Sequence, residues 1–140
     1  MSLPKELTLE IVTPDRLLVR EVVDEVELPA ADGYLGVLPG HTPLLATLRV
    51  GAIWYRQGQQ KHYLAVAFGF AEVLPDRVTV LAQTAERAAD IDVGRAETAR
   101  IRAEGRLSKP TADLDFERAR IALLKSLTRL QVAGKARVHS

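Results

Sequence analysis

At 140 residues the chain can form one ordinary domain, or one small domain with an appendage. Hydrophobic residues make up 47%, which excludes global disorder, and the absence of cysteine excludes disulfides, thiolate metal sites and cysteine nucleophiles. The net charge of +1 conceals a split, with 7 Lys/Arg against 10 Asp/Glu in residues 1–84 and 12 against 8 in residues 85–140, so the two parts are expected to meet different partners.

The first part reads as strands. Leu7-Thr8-Leu9-Glu10-Ile11 alternates strictly, as a strand with one buried face does. Pro14-Asp15-Arg16 turns the chain, and Leu17–Val19 and Val22–Leu28 follow with β-branched and apolar residues. Val50–Arg56 and Lys61–Phe68 flank Gln57-Gly58-Gln59-Gln60, a hairpin loop. Tyr63–Phe68 is apolar on both faces, which predicts a central strand. Phe70–Leu74, Pro75-Asp76 and Val78–Val80 supply another turn between strands. Many short strands with regular turn signals predict an all-β sandwich or barrel.

From Ala85 the composition turns to alanine, arginine and glutamate, a helical mixture. Asp90 is the expected cap of a helix reaching about Leu107, with Val93, Ala96, Ala99, Ala103 and Leu107 on its apolar face. Gly105, Ser108, Pro110 and Thr111 mark a break. Asp113 then caps a second helix, expected over Leu114–Val132, with Phe116, Ala119, Leu123, Leu127 and Leu130 as its stripe and Gly134 as its stop. So short a link predicts an antiparallel hairpin. The alanine-rich face buries little area, so the hairpin is expected to be loosely attached.

Arg95, Arg102 and Arg106 share one face of the first helix, and Arg118, Lys125 and Arg129 repeat that spacing on the second. Adjacent faces would converge several cations, an arrangement suited to phosphate oxygens. The alternative is two solvated faces balanced by Glu97, Glu104 and Glu117. No Walker-type loop is present, so nucleotide hydrolysis by this chain is not expected. His41, His62 and His139 are far apart and lack partners at ligand spacing, so no metal site is expected. No Ser, His and Asp set suggests a nucleophile. The basic part lacks the density and the aromatic interleaving that nucleic acid would need. No apolar run approaches the roughly 20 residues of a membrane-spanning helix, and no signal-peptide core follows Lys5 and Glu6. Any role at a membrane is therefore expected to be beside it.

The stretch that ties these readings together is Asp32-Gly33-Tyr34-Leu35-Gly36-Val37-Leu38-Pro39-Gly40-His41-Thr42-Pro43-Leu44-Leu45. Its glycines and prolines restrict the backbone more than packing would, giving a strand-turn-strand path. The order of Gly33-x-Leu35-Gly36 and Leu38-Pro39-Gly40-His41-Thr42-Pro43-Leu44 resembles the signature of the ε subunits of bacterial F-type ATP synthases, called δ in mitochondria. The likeness runs from about residue 5 to residue 133. Ile91-Asp92-Val93-Gly94-Arg95-Ala96 is similar to the Ile/Leu-Asp-x-x-Arg-Ala motif of ε subunits that bind ATP.

The resemblance implies a two-part α+β chain: an N-terminal all-β sandwich over residues 1–84, followed by a C-terminal antiparallel α-helical hairpin over residues 85–140. It implies that the sandwich binds the γ subunit, with His41 facing γ, and the ring of c subunits, with Asp32, Gly33, Tyr34 and Leu35 facing the ring. It implies ATP contacts at Glu86, Ile91, Asp92, Arg95, Ala96, Arg102, Lys125 and Arg129, with ATP as a regulatory ligand and no cofactor or Mg2+ required. Lys125 stands where ATP-binding members often carry arginine, an exchange that loses a bidentate fork. The implied role is a non-catalytic rotor-stalk subunit, peripheral on the cytoplasmic face of the bacterial cell membrane, that couples proton flow to ATP synthesis. Its hairpin would park against the sandwich with ATP bound, or extend along γ to meet the catalytic β subunits and block hydrolysis. The alternative is a free cytosolic nucleotide-sensing module whose β part binds some other protein.

Overall fold

The computed structural model describes residues 3–139, with side chains to residue 136. Seven strands precede two helices: β1 Leu7–Val12, β2 Leu17–Val23, β3 Glu25–Ala30, β4 Gly33–Val37, β5 Leu44–Gln57, β6 Gln60–Leu74 and β7 Arg77–Arg87, then α1 Val93–Ser108 and α2 Phe116–His139. The strands form one hydrogen-bonded ladder in the order β2-β1-β7-β6-β5-β3-β4. All pairs are antiparallel except β1 with β7.

The ladder closes over itself into a sandwich. β2 and β3 are consecutive in the chain, yet β2 is at one end of the order and β3 is next to last at the other. The crossing is held at Asp24, whose N–H donates to Arg56 O at 2.8 Å, and at Gln57, whose Nε2 donates to Val22 O at 3.0 Å. Alternation then sends Leu7, Leu9 and Ile11 of β1, Val26 and Leu28 of β3, Ile53 of β5 and Val78 and Val80 of β7 into one shared core. Leu64, Ala65, Val66 and Ala67 of β6 are all buried, as the two-sided apolar run predicts. Leu64 and Val66 face the sandwich core, while Ala65 joins a second, smaller cluster with Ile91, Val132 and Ala133. Alanine is what lets a helix lie close on that outer face.

A severe backbone restriction lies in β6. Phe68 and Gly69 of β6 take φ values of 63° and 133°, and a Cβ on Gly69 would stand 2.1 Å from the Leu81 carbonyl oxygen of β7. Only glycine fits there. The hairpin loop between β5 and β6 is tighter than expected: Gln57 pairs with Gln60, and the turn is Gly58-Gln59 alone. Gly58 accepts a φ of 62° and donates its N–H to Asp24 Oδ2 at 2.6 Å.

Four helical expectations are corrected. The helix-like composition starts at Ala85, but the ladder continues to Arg87, because Ala85 and Glu86 still pair with Val66 and Ala65. Ala88–Asp90 is a short 3-10 turn, and the cap of α1 is Asp92, whose Oδ1 accepts the Arg95 N–H at 3.0 Å. Ile91 must first be buried in the outer cluster, which delays the helix by two residues. The cap of α2 is Asp115, whose Oδ1 accepts the Arg118 N–H at 3.0 Å, and not Asp113. α2 passes through Gly134 to His139, since Val132 and Ala133 rest on β6 and tertiary packing outweighs the roughly 1 kcal/mol helical cost of glycine. The α2 stripe is also redistributed. Phe116 and Leu127 are 58% and 42% exposed, whereas Ala119, Ser126, Val132 and Ala133 are buried. The buried apolar contact of α2 with the sheet is made by Val132 and Ala133, toward its C-terminal end.

Candidate functional site

On the outer face of the sandwich, Thr47, Phe70, Leu81 and Val12 stand side by side on β5, β6, β7 and β1. Phe70 and Leu81 are 61% and 55% exposed, and Leu45, two residues before Thr47 on the same face, is 76% exposed. Val12, Thr47, Phe70 and Leu81, with Phe68, border an apolar groove of about 670 Å3. Solvent-facing strand positions are ordinarily polar, so this exposed apolar row departs from the usual pattern. Sequence reasoning passed over it. The signal was parity: Ala71 and Val80 point inward, so their bulky apolar neighbours Phe70 and Leu81 must point out.

The Gly/Pro segment comprises β4, its link to β5 and the first residues of β5. Gly33 opens β4 with φ 134°, after the exposed turn residue Asp32. Tyr34 faces outward with its hydroxyl over Gly51, where an added Cβ would lie 3.2 Å away, and the Arg49 guanidinium sits 4.9 Å from its ring centroid. Leu35 points the other way and packs against the core. Gly40, at φ 85°, donates its N–H to Pro75 O at 2.7 Å and so ties the segment to the β6–β7 turn. His41 is half-buried, and its Nδ1 lies 2.7 Å from Thr42 O. A carbonyl only accepts, so the proton of this contact is on Nδ1.

On the hairpin side, Glu86 of β7 and Arg129 of α2 meet. Arg129 Nη2 donates to Glu86 Oε2 at 3.3 Å, and Nε lies 2.7 Å from Oε1 with its N–H off the line, so that second approach is ionic only. Asp92 and Arg95 meet through the helix cap. Ile91 and Ala96 are buried packing residues. Lys125 is exposed, with Nζ 5.8 Å from the Phe68 ring centroid. Arg95, Arg102, Arg106 and Arg118 are exposed and form no ion pair among the described residues.

The helix carboxylates are engaged by other arginines. Arg100 donates to Glu97 and Glu104, and Arg120 to Glu117. These hydrogen bonds hold the Glu97 and Glu117 carboxyls below the usual carboxylate range and push Arg100 further up. Arg95, Arg102, Arg106 and Arg118 are therefore left without an acidic partner among the described residues, while Arg129 is paired with Glu86.

Comparison with known proteins matches this anatomy. Residues 6–88 match the family model "ATP synthase, Delta/Epsilon chain, beta-sandwich domain", and residues 89–134 match "ATP synthase, Delta/Epsilon chain, long alpha-helix domain". The chain is 48% identical over 132 residues to the ATP synthase epsilon chain of Nitratidesulfovibrio vulgaris (strain DP4), covering 94% of this chain and 98% of that one. It is 49% identical over 131 residues to the ATP synthase epsilon chain of Syntrophobacter fumaroxidans, covering 94% and 98%. Its fold is similar to a chain in the OSCP/F1/c-ring structure of the Euglena gracilis mitochondrial ATP synthase, with TM-score 0.80 at 22% identity over 99% of this chain and 85% of that one. A chain in the central stalk/c-ring structure of the Tetrahymena thermophila enzyme gives TM-score 0.60 at 12% identity over 97% and 98%. With both halves matched and two near-full-length relatives at this identity, the chain belongs to the ATP synthase delta/epsilon family, as an epsilon chain.

Proposed function

We propose that this chain is a non-catalytic central-stalk subunit of an F-type ATP synthase, docking a γ subunit and a c ring through its sandwich and regulating the enzyme through its hairpin. The observation that carries the docking reading is the exposed apolar pair Phe70 and Leu81, with exposed Leu45 and half-buried Val12 on the same face. Burying such a row on a partner stabilises the contact by roughly 25 cal/mol per Å2 of apolar area. Asp32 and Tyr34 offer side chains to the ring, and His41 offers one to γ. The complex would sit on the cytoplasmic face of the membrane and couple proton flow to ATP synthesis. Co-purification from native membranes tests this. The tagged chain brings down γ, Phe70→Glu loses it with unchanged circular dichroism, and a wild-type chain that brings down no γ defeats the docking reading.

For the hairpin, Arg95, Arg102, Lys125 and Arg129 are the proposed phosphate contacts, with Glu86, Ile91, Asp92 and Ala96 framing the site. Support comes from Arg95 and Arg102 having no acidic partner among the described residues. ATP would favour the parked hairpin, because only there do both helices place cations on one phosphate chain. The extended hairpin would meet the catalytic β subunits and block hydrolysis. Calorimetry with ATP tests the sensor role. Binding weakened about tenfold by Arg102→Ala is the expected result. No heat at millimolar ATP ends the sensor role and leaves the stalk role standing.

A further inference from the structure

A second cleft, of about 400 Å3, lies at the other end of the hairpin seam, between the β5–β6 turn, β2, the 3-10 turn and the last turns of α2. β7 stops pairing with β6 at Leu64, so Gln60–His62 has a neighbouring strand on one side only. Among the described residues three cations line the cleft, namely Lys61 of β6, Arg87 of β7 and Lys135 of α2, and no Asp or Glu does. None of the three forms an ion pair among the described residues. Their positions are nonetheless restrained. Lys61 Nζ lies 4.1 Å from the Trp54 ring centroid, Lys135 Nζ lies 5.8 Å from that of Tyr63, and Arg87 Nη2 donates to Leu18 O. Such ring contacts hold an ammonium without neutralising it.

Tyr55 and His62 are stacked in the wall, with centroids 4.8 Å apart. Burial raises the Tyr55 hydroxyl above its ordinary range, while the field of Arg87 opposes that rise and the field of Glu21 adds to it. His62 Nε2 is shielded from solvent and has no hydrogen-bond partner among the described residues. A buried polar atom left without a partner is destabilising, a need that an entering acceptor meets. The volume is of small-molecule size. Unpaired cations from three elements and an unsatisfied ring nitrogen together select a compact, multiply charged acceptor.

We propose that this cleft binds a phosphate-type polyanion, with Lys61, Arg87 and Lys135 as its charge partners and His62 as a donor. No residue of the proposed ATP set lines it, so the proposal stands apart from that reading. Because Lys135 belongs to the hairpin while Lys61 and Arg87 belong to the sandwich, the bound anion bridges the two modules and favours the parked hairpin by mass action.

The test is a titration of the full chain with inorganic pyrophosphate, and separately with ATP, followed by amide and side-chain chemical shifts. Saturable pyrophosphate shifts at Tyr55, His62, Arg87 and Lys135 are expected, weakened about tenfold by either Lys61→Gln or Lys135→Gln. Both lysines are exposed, and unchanged circular dichroism of the variants confirms that loss is not unfolding. ATP shifting the same four residues identifies a nucleotide phosphate tail as a second source of the anion and supports the site. Pyrophosphate shifts confined to Arg95 and Arg102, binding indifferent to both lysine variants, or no saturable shift would overturn it.

Discussion

Truncating Val132 to alanine tests whether the hairpin is a separately opening unit. Val132 is fully buried, and its cluster contains Ala65, Ile91 and Ala133 but no leucine. Removing two methyl groups forfeits about 0.8 kcal/mol each, and the void left against β6 adds to that, for a total of about 2 kcal/mol. The only ionic clasp among the described residues that joins α2 to the sheet is Arg129 with Glu86, which is partly exposed, so it contributes at most about 1 kcal/mol. With so small a seam, the loss falls on hairpin opening and not on the sandwich, whose core is a separate cluster. Native-state hydrogen exchange reads this directly. Amides near Ala133 are expected to exchange roughly thirtyfold faster in Val132→Ala, while those of Leu9 and Val80 keep their wild-type rates. Equal acceleration in both places would mean that sheet and hairpin open as one body, and the reasoning about a loosely seated hairpin would fail.

The remaining expectations concern backbone, cap and charge. Gly69→Ala forces a Cβ against the Leu81 carbonyl at a φ of 133°, so a loss of about 3 kcal/mol and a fall in Tm of roughly 10 °C are expected by calorimetry, and an unchanged Tm would refute the steric account. Asp92→Ala removes the observed cap and should cost about 1 kcal/mol with loss of helical ellipticity, whereas Asp90→Ala should cost little; the reverse ranking would restore Asp90 as the cap. Glu97 and Glu117 have folded-state pKa values lowered by hydrogen bonds from Arg100 and Arg120. Their contribution is therefore complete above the ordinary carboxylate pKa and disappears as pH falls through the lowered values. Acid titration of ellipticity should show this loss, and Glu97→Gln should diminish it; an identical curve for the variant would count against the pair.

Much of this architecture is legible because it is local. Alternation in Leu7–Ile11, the two-faced run Tyr63–Phe68 and the shift to alanine and arginine after β7 each report a period of two or 3.6 within a few residues. The Gly/Pro order from Gly33 to Leu44 is equally local, since it restricts φ residue by residue. Boundaries were less legible. Asp90, Asp92, Asp113 and Asp115 are chemically equivalent caps, and the choice between them depends on where Ile91 is buried and where α2 lands on β6. The candidate sites divide in the same way. The unneutralised arginines could be placed on helix faces from spacing, but their isolation is due to Arg100 and Arg120 having taken the carboxylates.

What the amino-acid order alone determined is the kind of each element, the division into an acidic β part and a basic helical part, and the family signature. Those depend on neighbours within one turn or one strand. The tertiary structure alone decided that Phe70 and Leu81 stand side by side, where the small Ala65–Val132 seam forms and how the cationic cleft around His62 is assembled. Each of these brings together residues far apart in the chain, and no local period encodes which strand lies beside which or what a helix leaves uncovered.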